Sequence, residues 1–178
     1  MNLTRAARLL LPALLLCGLA GAPKNEPITI LVVRHAEKAV NQGDDPHLSE
    51  AGLARAQALA RVAENAHVGA VYISQFQRTK ETAAPLLAKH GDVKVNTLPV
   101  DLAKTADYPK TLANTILSRE GGKVVLVVSH SNLVPGIVGA LTGVKVPPMG
   151  DDEFSRLYVI TVRPGMAPQL ISAQYGCQ

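Results

Sequence analysis

The stretch LVVRHAEKAVN, residues 31–41, decides how this chain is read. It completes an apolar run, 28–33, that is short and rich in β-branched side chains. Such a run suits a strand buried in a sheet. The run stops abruptly at Arg34 and His35. A buried strand that ends by delivering two nitrogen-rich side chains to one spot needs a reason.

The rest of the chain supplies the setting. Apolar, β-rich runs recur at 70–73, 93–97, 124–128 and 157–162, with a weaker one at 170–174. Helical spacing of Ala and Leu fills the gaps: 49–64, opened by Ser49 as an N-cap, and 79–90, with Pro85 as an expected kink. Shorter helical patterns follow at 114–119 and 133–141. Strand–helix alternation predicts an α/β fold, a three-layer α/β/α sandwich around a mostly parallel central sheet. Ligands of such sheets sit beyond the carboxyl ends of the strands.

That rule collects the polar residues that follow strands. Arg34 and His35 follow the first, Ser74 follows the second, and Arg78 opens the next helix. Ser129, His130, Ser131 and Asn132 follow the run 124–128. Two guanidiniums in fork geometry suit a tetrahedral oxyanion, and helix N-termini near Arg78 and Asn132 add donors and positive dipole. Phosphate fits best. A histidine beside it can donate a hydrogen bond or attack phosphorus through an unprotonated nitrogen. Neighbouring arginines are expected to depress its pKa and favour the neutral form.

Composition bounds these readings. The chain has 178 residues, an aliphatic, alanine-rich character and no tryptophan, which suits one domain. Its net charge of +4 is carried by scattered basic residues, with no block and no aromatic interleaving, so nucleic acid is not an expected partner. Residues 1–22 differ from the remainder. Arg5 and Arg8 precede an apolar stretch, 9–16, and small residues, 18–22, the layout of a cleaved secretory signal peptide. The mature domain would then be 23–178, located outside the cytoplasm. Membrane association is expected only through a lipid anchor at Cys17, where the bulky Leu16 argues against one. Cys177 would be left without an internal disulfide partner.

RHAEKAVN, DPHLSEAG (45–52), SQFQRTKETA (74–83) and VSHSN (128–132) together resemble the histidine phosphatase superfamily, the phosphoglycerate-mutase-like group, in the expected order. The resemblance implies roles. His35 would be the phosphorylated nucleophile, Arg34 and Arg78 the phosphate clamp, His130 a donor in the pocket, and Asn41 a phosphate contact. No metal or cofactor is implied. Lys38 stands where mutases carry Ser or Thr. Ser131 stands where the acid-phosphatase branch carries Asp, so the proton donor must come from elsewhere. Asp101, beyond the run 93–97, sits where the smaller branch often carries its acid, with Asp107 and Glu37 as rivals.

The expected function is hydrolysis of phosphomonoesters or of a phosphorylated protein through a phosphohistidine. The alternatives are a phospho-ligand binding module without turnover, or a phosphomutase. His47, His67 and His90 are not expected to be ligands, though the loop of His47 could overhang the site. Asp151–Glu153 is expected to be a solvated loop that could border the pocket.

Overall fold

The computed structural model describes residues 26–101 and 104–176. The expected signal peptide, Cys17 and Cys177 lie outside the described residues. Six strands, β1 (Ile28–Arg34), β2 (Val68–Ile73), β3 (Lys94–Thr97), β4 (Val124–Ser129), β5 (Arg156–Val162) and β6 (Gln169–Gln174), form one sheet in the order β3-β2-β4-β1-β5-β6. Four helices, α1 (Glu50–Ala63), α2 (Gln77–Lys89), α3 (Tyr108–Arg119) and α4 (Val134–Thr142), cover it. β1, β2, β3 and β4 are mutually parallel, and β5 runs antiparallel to both β1 and β6. This is the three-layer, mostly parallel architecture expected from the alternation of elements.

The side-chain period of two sends Ile30 and Val32 of β1 to one face and Leu31 and Val33 to the other. The first pair packs with Leu112, Ile116, Ile137 and Leu141 of α3 and α4. The second packs with Leu59 of α1 and Leu86 of α2. Burial on both faces is why β1 and β4 read as unbroken apolar runs.

Register then sets the site. Val33 lies opposite Val128 and Arg34 opposite Ser129, so the two central strands end at one level. The ladder continues one step further, with His35 N donating to Ser129 O at 2.8 Å. His35 and His130 are thereby brought side by side.

Helix α1 begins where expected, with Ser49 Oγ accepting from Gly52 N at 3.1 Å. The same hydroxyl faces Glu37 O at 3.3 Å, and Ser49 N donates to that carbonyl at 2.9 Å. The first turn of α1 thus lies directly on the segment after His35. Gly52 permits this: a Cβ there would stand 2.1 Å from Glu37 O. Helix α3 is longer than its expected span of 114–119, starting at Tyr108 with Pro109 in its first turn. Proline is tolerated there, because the first-turn N–H has no intrahelical acceptor. Pro85 lies inside α2, whose helix runs on to Lys89.

Candidate active site

The residues after β1 are held at each step. Ala36 N donates to Thr82 Oγ1 at 2.9 Å, and that hydroxyl donates to Arg78 O at 2.6 Å. Lys38 forms a bridge to Leu48. Glu37 is gripped by Arg55, whose Nε lies 2.8 and 2.9 Å from the two carboxylate oxygens. Arg55 also donates to the carbonyls of Tyr175 and Gly176, tying the C-terminal end of the described chain to this segment.

His35 is 5% exposed. Its Nδ1 lies 2.8 Å from Ala36 O. A carbonyl only accepts, so Nδ1 carries the proton and Nε2 is the bare, nucleophilic nitrogen. Burial pushes the His35 pKa down to about 3, against the pull of the Ala36 carbonyl, and the charges of His130, Arg78 and Arg34 add smaller downward shifts. The expectation that arginines keep this imidazole neutral therefore needs amending: desolvation is the larger cause.

His130 stands edge-on to His35, with ring centroids 5.4 Å apart. Its Nε2 pairs with Ser74 Oγ at 3.0 Å, which leaves its other nitrogen for a ligand. Ser74 is buried and in turn meets Thr79 Oγ1 at 3.0 Å. Burial first, then Arg78 and Arg34, lower the His130 pKa to about 4.

The two arginines are aimed by aromatic rings. Arg34 Cζ lies 3.9 Å from the Phe154 ring centroid, and Arg78 Cζ lies 4.2 Å from that of Phe76. Arg34 Nη1 donates to the carbonyls of Gly150, Asp151 and Glu153 at 2.9, 2.8 and 3.2 Å. Its buried Nε has no hydrogen-bond partner among the described residues. Asp45 receives Gln77 N at 2.8 Å and approaches Arg78 Nη1 at 3.6 Å, fixing the start of α2.

These groups line a cavity of about 590 Å³, together with Glu37, Lys38, Val40, Ser131, Asn132, Asp151, Asp152 and Phe154. A depression of about 700 Å³ lies elsewhere, between β5, β6 and residues 146–147. Its one charged side chain, Arg156, already pairs with Glu153 and Tyr158, so the smaller cavity is the site.

Of the residues expected at the site, Arg34, His35, Arg78 and His130 meet there. Asn41 does not line the cavity; it is exposed in a left-handed turn with φ of 61°. Asp101 is exposed and also absent from the lining. It directly follows Val100, whose N–H and carbonyl are both clasped by the Gln75 amide at 2.8 and 3.0 Å. Glu37 borders the cavity but faces Arg55, and Asp107 lies at the N-cap of α3. His47 pairs with Glu81 on α2. The acidic loop was underestimated: it supplies three carbonyls to Arg34, and its residues Asp151 and Asp152 line the cavity.

Comparison with known proteins agrees with this geometry. Residues 30–100 match the family model described as histidine phosphatase superfamily (branch 1). The uncharacterized protein Rv0525 of Mycobacterium tuberculosis is 39% identical over 89 residues, which is 47% of this chain and 43% of that protein. The match thus spans less than half the length of that curated relative. Among solved structures, the protein histidine phosphatase SixA complexed with tungstate superposes with a TM-score of 0.63 at 21% identity, covering 82% of this chain and 96% of its own. The mycobacterial glucosyl-3-phosphoglycerate phosphatase Rv2419c gives 0.63 at 16% identity, covering 82% and 97%. The phosphoserine phosphatase of Entamoeba histolytica gives 0.62 at 15% identity, covering 85% and 98%. The segment 30–100, which carries Arg34, His35 and Arg78, is thus similar in sequence to the histidine phosphatase superfamily, and the chain shares the fold of these solved structures.

Proposed function

We propose that this protein hydrolyses phosphorylated substrates, small phosphomonoesters or a phosphoprotein, through a phosphohistidine at His35. The observation that carries the reading is the Nδ1 contact of His35 with Ala36 O, which leaves Nε2 unprotonated in a cavity flanked by Arg34, Arg78 and His130. Nε2 attacks phosphorus, the P–O bond to the leaving group breaks, and the departing oxygen takes a proton from an acid. Water then attacks phosphorus, giving its proton to the same group, now a base, as the Nε2–P bond breaks and phosphate leaves. Arg34 and Arg78 offer their guanidiniums and His130 its second ring nitrogen to the three equatorial oxygens. Donors of this kind contribute roughly 3–4 kcal/mol each in transition-state stabilisation.

For the acid we propose Asp101 on the resemblance of its position beyond β3; it stands outside the cavity lining, next to Val100, whose backbone Gln75 clasps. Glu37 is less suited, because both of its carboxylate oxygens are engaged by Arg55. Export is proposed on the basic start and apolar run of residues 1–22, and N-terminal sequencing of native protein beginning near Gly21 or Pro23 would bear it out.

A panel of phosphate esters and phosphoramidates, with vanadate as competitor, tests the activity. Turnover abolished by His35→Ala, with the fold intact by circular dichroism, is expected. Full turnover in that variant would exclude the mechanism.

A further inference from the structure

We propose that Asp151 and Asp152 select phosphorylated substrates whose leaving group carries a cationic nitrogen close to the phosphate. The inference rests on the phosphatase reading of the cavity and adds a substrate class to it. Both residues line the cavity, and both are exposed. Neither makes an ion pair among the described residues. The other acids nearby are engaged: Glu37 by Arg55, Glu153 by Arg156 and Asp45 by Gln77 N and Arg78. Arg34 contacts this loop through backbone carbonyls and feels the charges of the two aspartates through space, without an ion-pair contact to either.

The loop is built rather than incidental. Gly150 N donates to Glu153 Oε2 at 2.8 Å, Phe154 lies against the Arg34 guanidinium, and the three carbonyls cap Nη1. Arg34 is 7% exposed, lines the same cavity, and keeps its buried Nε unpartnered among the described residues. The arginine therefore fixes both the phosphoryl position and the acidic lip. A phosphoryl group held by Arg34 leaves its ester substituent at the lip, where two carboxylates repel an anion and attract a cation. Lys38, the one lysine on the lining, is exposed on a flexible stem, and a single mobile ammonium does not cancel two carboxylates on an anchored loop.

Choline phosphate and its uncharged carbon analogue, 3,3-dimethylbutyl phosphate, differ in charge and little in shape. Two carboxylates some 6–8 Å from the cation, at a partly solvated site, favour the charged ester by roughly tenfold in kcat/KM at low salt. Asp151→Asn/Asp152→Asn should bring that ratio down by the same factor. The intrinsic leaving-group difference between the two alcohols is common to both proteins and cancels. An unchanged ratio in the double variant overturns the proposal. An equal loss on both esters overturns it too, because that pattern marks a proton donor. If neither ester is turned over, the ester panel above decides the phosphatase reading separately. Calorimetric affinities of the two esters for the wild-type and double-variant proteins then decide the charge preference alone: a cationic advantage lost in the variant supports it, and equal affinities throughout refute it.

Discussion

Burial of two neutral histidines makes this fold sensitive to mild acid in a way that His35→Ala should relieve. The His35 pKa is lowered from 6.5 to about 3, and that of His130 from 6.5 to about 4. Both groups therefore bind protons more readily in the unfolded chain than in the folded one. Their contribution to stability is complete above the unfolded value near 6.5 and is lost as pH falls from there towards the folded values. At pH 5, some 1.5 pH steps below the unfolded value, each histidine withholds about 2 kcal/mol, or about 4 kcal/mol for the pair. Urea unfolding followed by far-ultraviolet circular dichroism at pH 7.5, 6.5, 5.5 and 5.0 reads this directly. The wild type should lose about 4 kcal/mol across that range beyond what carboxylates contribute, and His35→Ala about half as much. The Ala variant falls slightly short of an even division, because His130 itself is one of the charges that disfavour protonated His35. Identical pH slopes for wild type and variant would refute the claim that His35 is buried in its neutral form.

Other consequences follow from named contacts. Gly52→Ala forces a Cβ against Glu37 O, so stability should fall by at least 1–3 kcal/mol, roughly the overpacking cost, and turnover should fall with it; thermal melts and kinetics check both. Arg34→Lys removes the bonds to three loop carbonyls and the fork presented to phosphate, so competitive inhibition by vanadate should weaken at least about tenfold, measured as Ki. Glu120 is fully buried; burial would raise its carboxyl pKa, but hydrogen bonds from Lys123 and Tyr72 and the charges of Lys123 and Lys94 hold it below the usual value. Glu120→Leu should cost about 1–3 kcal/mol in urea unfolding by leaving the buried Tyr72 hydroxyl unpaired. Asp101→Asn should slow esters with poor leaving groups and spare nitrophenyl phosphate in the phosphorylation step.

Much of this architecture was legible in sequence because burial on both faces leaves an unambiguous apolar run. β1 and β4 announced themselves that way, and the polar residues that terminate them marked the site edge. The register that aligns Arg34 with Ser129 was not legible, since nothing in either strand states which residues face each other. The start of α3 was missed because Pro109 reads as a breaker, although a first-turn proline is compatible with a helix. The acidic loop carried a sequence signal, three acids after VKVPPMG, but its role depends on backbone carbonyls that no side-chain pattern reports. Glu37 looked as available as any other acid until Arg55 was seen to hold both of its oxygens. Asn41 shows the limit of motif spacing: its place in RHAEKAVN suggested the pocket, whereas the left-handed turn sets it outside the lining.

The central claim is that Nε2 of His35 is the atom that accepts the phosphoryl group, because Nδ1 is held by the Ala36 carbonyl. Rapid mixing with a turned-over phosphate ester, alkaline quenching and phosphorus NMR of the digested protein test it most directly. The expected result is an acid-labile phosphohistidine at His35 substituted on Nε2, absent from His35→Ala. Phosphate on Nδ1, on another residue, or turnover with no phosphoenzyme at all would contradict the account.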